Sequence, residues 1–221
     1  MLDHTKKAKF YALPDSGFFI TDFYSDLVDM KVLRSYAKNL VDLVGVDEKE
    51  MPEPILKCTK KPGLELIDCF NTANYAEFLR SPMFIVQSPI DAYSLQNAVA
   101  VQCLNGQKPP FSLQSCSDEE FAAIEKYRKD SLEYIKNFKT RNNVGIWGPA
   151  CVQHGFTQVS SFNNPNFKVS GQMVHEAIEK FMEDPENAEW HIEDEPWPSN
   201  KGCSGIINGF SLNREWNVLQ E

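Results

Sequence analysis

The sequence predicts an α/β protein, a parallel sheet with helices packed on its faces, and three observations carry that prediction. Segments of strand and helix character alternate along the chain as strand, helix, strand, helix, strand, helix. Two of the strand segments, Met83-Phe84-Ile85-Val86 and Val144-Gly145-Ile146-Trp147, are short apolar runs, the pattern of strands covered on both faces. Between them lies the clearest amphipathic helix of the chain.

Taken in order, Lys9-Phe10-Tyr11-Ala12-Leu13 reads as the first strand, running into Pro14-Asp15-Ser16-Gly17, a turn in which Gly17 can supply a positive φ. Leu27, Met30, Leu33, Tyr36, Ala37, Leu40 and Val44 then recur at helical spacing, with Gly45 as the stop. Residues 47–75 hold three prolines and two cysteines and read as an irregular excursion. The Met83–Val86 strand ends at Ser88-Pro89-Ile90-Asp91, residues 94–101 form one or two helical turns, and a Pro-Pro loop separates Cys103 from Cys116. Ser117 and Glu120 make a capping box, behind which Phe121, Ile124, Tyr127, Leu132, Ile135 and Phe138 line one helix face. Gly148-Pro149 breaks the Val144–Trp147 strand just before Cys151 and His154. A final helix spans Val169–Met182, with Val174, Ala177, Ile178 and Phe181 on its inner face, and a tail rich in Trp, Pro and acid follows. Three strands make a thin sheet with an uncovered edge. Residues 1–221 therefore read as a single domain or half-domain, part of a larger sheet.

Composition narrows the function. A net charge of −9 argues against a nucleic-acid partner or an anionic membrane. No apolar run approaches the ~20 residues of a membrane span. The acidity gathers in Asp47–Glu53 and Glu183–Glu195, which lack regular ligand spacing and read as solvated surface. Residues Met1 to Ala8 carry no secretory signal, yet six cysteines in locally spaced pairs point to disulfides and an oxidising compartment. An even count leaves the pairing open, and six buried thiols are the alternative.

Sites in open α/β sheets lie at the carboxyl ends of strands. Asp91 follows one predicted strand and His154 the next, the chain order of the acid and base in a Ser–His–Asp hydrolase. The imidazole moves the serine proton to the leaving group, and the carboxylate fixes its tautomer. Cys151 and His154 also have C-x-x-H spacing for zinc, but no second pair of finger-like spacing stands nearby. His175 and His191 read as surface or packing residues, and Phe18, Phe19, Phe23 and Tyr24 as either an acyl-pocket lining or plain core.

Three motifs then resemble one family. Leu13-Pro14-Asp15-Ser16-Gly17-Phe18-Phe19 is similar to the Asp-Ala/Ser-Gly-Phe-Phe stretch of the pectin acetylesterase and Notum family. Ser81-Pro82-Met83-Phe84-Ile85 through Ile90-Asp91-Ala92-Tyr93 resembles its strand and acid loop, and Cys151-Val152-Gln153-His154 its base motif. Two departures stand out: Tyr93-Ser94 replaces the family's Trp-Gln, and Gly155 stands where plant-type members often carry a cysteine. The resemblance covers about Lys9–Ser204 and corresponds to the C-terminal half of a family member.

The resemblance implies a partial α/β-hydrolase fold, the second half of its sheet, with Asp91 as triad acid and His154 as triad base of a secreted serine carboxylesterase. The pairs Cys58–Cys69 and Cys103–Cys116 are expected because they close short loops, and the family order implies Cys151–Cys203. Neither cofactor nor metal is expected. The family's Gly-x-Ser-Ala-Gly-Gly elbow would lie upstream of Met1, so an N-terminal hydrolase half or a partner chain is expected to supply the nucleophile. Acylated polysaccharide or acylated protein is the substrate class implied. Gly202-Cys203-Ser204-Gly205 has Ile206 where an elbow needs glycine, and Ser16 belongs to the Asp-Ser-Gly turn. The alternative reading is a non-catalytic structural or interaction subunit that keeps half of the hydrolase fold.

Overall fold

The computed structural model describes residues 9–108, 110–157 and 160–203. Its helices are α1 (Val32–Val44), α2 (Glu53–Cys58), α3 (Thr72–Tyr75), α4 (Ala92–Ser94), α5 (Asp118–Lys136) and α6 (Val174–Glu183), joined by shorter 3-10 and π turns. The strands are β1 (Met83–Val86), β2 (Val144–Gly148) and β3 (Trp190–Ile192), all parallel, in the order β1-β2-β3. Ile85 faces Ile146 across the first pair, and Trp147 faces His191 across the second.

The first predicted strand is displaced. Residues 12–16 lie along the outer side of β1 through parallel bridges Ala12↔Met83 and Asp15↔Val86. Ala12 donates to Pro82 O and accepts from Phe84, Pro14 O accepts from Val86, and Ser16 donates to Val86 O. Pro14 has no N–H to give, which interrupts the ladder on the side facing β1. Tyr11, Leu13 and Asp15 alternate with these residues and turn their backbone groups away from β1. Positive φ falls on Ser16, at 56°, rather than on Gly17.

Side chains leave each strand alternately, so the sheet has two distinct faces. Phe84, Val86 and Trp147 pack with Phe156, Phe167 and the Val174, Ala177 and Phe181 face of α6. Met83, Ile85, Val144 and Ile146 pack on the other side with Phe18, Ile135 and Phe138. Helices α5 and α6 thus cover opposite faces. A further cluster joins Ile90, Leu95, Val99, Leu104, Leu113, Ile124 and Tyr127, placing the first half of α5 against the loops that follow β1.

Helix α5 starts at the expected capping box, with Ser117 accepting from Glu120 N and Glu120 accepting from Ser117 N. The same Glu120 carboxylate accepts from the backbone N–H of Gln102 and Cys103. Two other helices begin later than periodicity predicts. An antiparallel bridge Ser25↔Met30 and a positive φ at Asp29 close a turn before α1. Likewise Val169↔Gln172 with Ser170 and Gly171 at positive φ close a turn before α6. Inside the excursion over residues 47–75, α2, α3 and two 3-10 turns form short stacked helices. The acidic stretch after α6 is not all solvated surface, because it contains β3, with His191 buried.

Candidate active site

The carboxyl ends of β1 and β2 bring Asp91 and His154 together. Asp91 caps α4, its Oδ1 accepting from Ser94 N at 2.8 Å, and Oδ2 lies 2.8 Å from His154 Nδ1. The two residues are 63 apart in sequence. Asp91 is wholly buried, whereas the His154 side chain is 43% exposed. The Asp91 hydrogen bond raises the imidazole's pKa above its ordinary value; burial opposes this, and the charges of Asp91 and Asp15 add to it. A carboxylate acceptor at Nδ1 selects the tautomer in which Nε2 is the base.

The loop from β2 to His154 is anchored several times over. Ser88 Oγ donates to Cys151 O at 2.6 Å, and Ala92 N donates to Gln153 O at 3.3 Å. Glu193, just after β3, accepts from Ala150 N at 2.8 Å and from Asn200 Nδ2 at 2.8 Å. A disulfide joins Cys151 to Cys203; the other two join Cys58 to Cys69 and Cys103 to Cys116. The zinc alternative fails on this point, since the Cys151 sulfur is spent in a disulfide. Cys103, Cys116 and Glu120 cluster, but both sulfurs are again bonded to each other.

The aromatic group divides. Phe19 stacks 6.4 Å from the His154 ring and Tyr93 lies 5.3 Å from it, so these two wall the imidazole. Phe18 and Phe23 are buried core, packed on Phe138 and Tyr127. Tyr24 sits under the Lys126 ammonium. His175 Nδ1 pairs with Phe162 O, and His191 Nε2 with Glu189, which gives both histidines local partners. Ser16 is buried, and its Oγ accepts from Gly155 N at 2.8 Å. Ser204 lies outside the described residues. Gln153, Val152, Phe111 and Trp197 border a cleft of about 360 Å³ beside the His154 loop.

Glu193, Asp15 and Ser16 are site-supporting residues that sequence reading left as acidic tail and turn. Glu193 has no local signal beyond its place after a strand segment, whereas Asp15 and Ser16 belong to the Asp-Ser-Gly-Phe-Phe stretch that resembles the family's.

Comparison with known proteins identifies the family and the fold. The pectinacetylesterase family profile matches residues 2–204. Pectin acetylesterase 11 of Arabidopsis thaliana is 24% identical over 155 residues, covering 67% of this chain and 37% of the relative. Pectin acetylesterase 7 of the same plant is 22% identical over 153 residues, with the same coverage. Two crystal forms of the Wnt deacylase Notum from Drosophila superpose with TM-scores of 0.61 and 0.64 at 15% and 17% identity. They cover 93% and 91% of this chain but 51% and 52% of the Notum chain. The fold is therefore of the α/β-hydrolase kind, and the chain spans about half of those structures and little more than a third of the plant relatives. On the strength of a profile match along nearly its whole length, the chain belongs to the pectinacetylesterase family.

Proposed function

We propose that this chain supplies the acid and base, Asp91 and His154, of a secreted serine carboxylesterase whose nucleophile comes from an N-terminal hydrolase half or a partner chain. The observation that carries the reading is the 2.8 Å contact of His154 Nδ1 with a fully buried carboxylate. The outward-facing backbone of Tyr11, Leu13 and Asp15 offers a parallel edge on which a nucleophile-bearing strand can pair. Residues 1–221 then act as one half-domain. The relatives' names favour an acetylated polysaccharide or an acylated protein as substrate, and three disulfides favour an extracellular setting.

The test is hydrolysis of p-nitrophenyl acetate. The chain alone should not exceed a weak background, since loss of a nucleophile removes on the order of 10⁶ in turnover. Adding the serine-bearing half should restore turnover. His154→Ala should then abolish it, and Asp91→Asn should lower it by roughly 10⁴ by disturbing the tautomer. The second reading, a non-catalytic interaction subunit, draws on the apolar outer face of α1, where Tyr36, Leu40 and Leu43 are exposed. A stable but inert complex would decide for it. Esterase activity from the chain alone, abolished by mutating one of its own serines, would overturn the division of labour.

A further inference from the structure

The residues just beyond His154 are held as closely as those before it, and by a different element. Gly155 N donates to Ser16 Oγ at 2.8 Å. Phe156 N donates to Asp15 at 2.9 Å, Thr157 N to Asp15 at 2.9 Å, and Thr157 Oγ1 to Asp15 at 2.6 Å. Three consecutive backbone N–H groups and one hydroxyl therefore converge on two adjacent side chains, 139 to 142 residues away in sequence.

We propose that Asp15 and Ser16 form a positioning clamp for the base, fixing the chain on the far side of His154 so that its imidazole stays registered against Asp91. The inference rests on the reading of His154 as catalytic base. Two features distinguish a clamp from an ordinary turn. First, Ser16 N donates to Val86 O at 2.7 Å, tying the clamp to the last residue of β1, the strand whose end leads to Asp91. Acid and clamp are thus both referenced to one strand, and the base is held between them. Second, Ser16 keeps a φ of 56°. Glycine would occupy that region without the steric cost a side chain brings. A serine there is accounted for by the hydroxyl that Gly155 uses.

Asp15 also acts on the ring through space. The carboxylates acting on His154 are Asp91, from the loop after β1, and Asp15, from the segment beside it, while Phe19 and the phenol Tyr93 present their rings. Asp15 adds to the effect of Asp91 in favouring the imidazolium. That is the charged form the base passes through when it has taken the nucleophile's proton.

The experiment uses the chain as it stands, with ¹⁵N-labelled histidine, and reads the tautomer and titration of His154 by long-range ¹H–¹⁵N spectra, assigned against His154→Gln. Ser16→Gly tolerates the left-handed backbone and removes the hydroxyl that accepts from Gly155 N and donates weakly to Asp15 at 3.4 Å. It should unfold as cooperatively as the wild type, exchange the Gly155 amide about tenfold faster, and lose population of the Nδ1–H tautomer. Asp15→Asn removes the charge and replaces one of the two accepting oxygens by an NH2 donor, and His154 should then titrate closer to an ordinary imidazole. If both variants speed exchange at Gly155 to Thr157 while the His154 tautomer and titration stay at wild-type values, the pair serves loop structure alone and the proposal fails. It fails equally if Ser16→Gly leaves the Gly155 amide as protected as before. These readouts need no turnover, so an inert reconstituted complex would defeat the esterase reading and leave the clamp standing or falling on its own evidence.

Discussion

Replacing Cys151 and Cys203 together by alanine is expected to cost about 4.1 kcal/mol, more than removing either of the other disulfides. The magnitude follows from the chain each bond closes. Loop-closure entropy grows with the logarithm of loop length, and the bond acts mainly by restricting the unfolded ensemble. Cys151–Cys203 spans 52 residues, against 11 for Cys58–Cys69 and 13 for Cys103–Cys116. At 25 °C the same relation yields about 2.8 kcal/mol for the first short loop and about 2.9 kcal/mol for the second. The comparison with Cys58 and Cys69 is the cleanest, because Cys58, Cys69 and Cys151 are all fully buried and lose similar packing on truncation. The expected gap is about 1.4 kcal/mol. Guanidinium unfolding of the paired-alanine variants, extrapolated linearly to water, measures it, with a steeper denaturant dependence as the uncrosslinked chain expands. Thiol counting under denaturing conditions, before and after reduction, verifies that the remaining pairs stay bonded. A cost for Cys151/Cys203 no larger than that for Cys58/Cys69 would refute the loop-length reasoning and locate the stabilisation in native contacts.

Three further outcomes can be measured. His154 has its pKa raised above 6.5 in the folded state, chiefly by the Asp91 hydrogen bond, so its contribution to stability is complete below about pH 6.5 and disappears as pH rises through the raised value. Thermal melts across that range should show wild type losing stability relative to His154→Gln on going alkaline, and parallel curves would refute the coupling. Glu193→Ala removes the acceptor of Ala150 N and of Asn200, and should destabilise by about 1.5–3 kcal/mol in denaturant titrations, with Glu193→Gln recovering part of the loss. Gly148→Ala places a Cβ 2.7 Å from the Gln87 carbonyl oxygen, a backbone atom that cannot swing aside, and should cost about 1–3 kcal/mol by the same titration.

What was legible in the sequence is what local physics writes there. Met83–Val86 and Val144–Trp147 read as buried strands because strands covered on both faces need unbroken apolar runs, and both lie in the sheet. The α5 start was legible because a capping box is a four-residue event, complete within Ser117 to Glu120. The motif order around Asp91 and His154 carried the family. The starts of α1 and α6 were not legible, because helical spacing continues through turns whose closure depends on the positive φ of Asp29, Ser170 and Gly171. Strand β3 was missed because three residues, only the middle one buried, have no period to detect, and Trp190–Ile192 is a strand only where β2 offers it an edge. The same reason governs the site. The sequence could nominate Asp91 and His154 by their places after strands, but their 2.8 Å approach and the burial of one against the exposure of the other follow from parallel pairing of β1 with β2. Glu193, Asp15 and Ser16 look like tail and turn along the chain. Their partners, Ala150 and Gly155 to Thr157, lie 43 to 142 residues away, and no local pattern encodes contacts that only the assembled sheet creates.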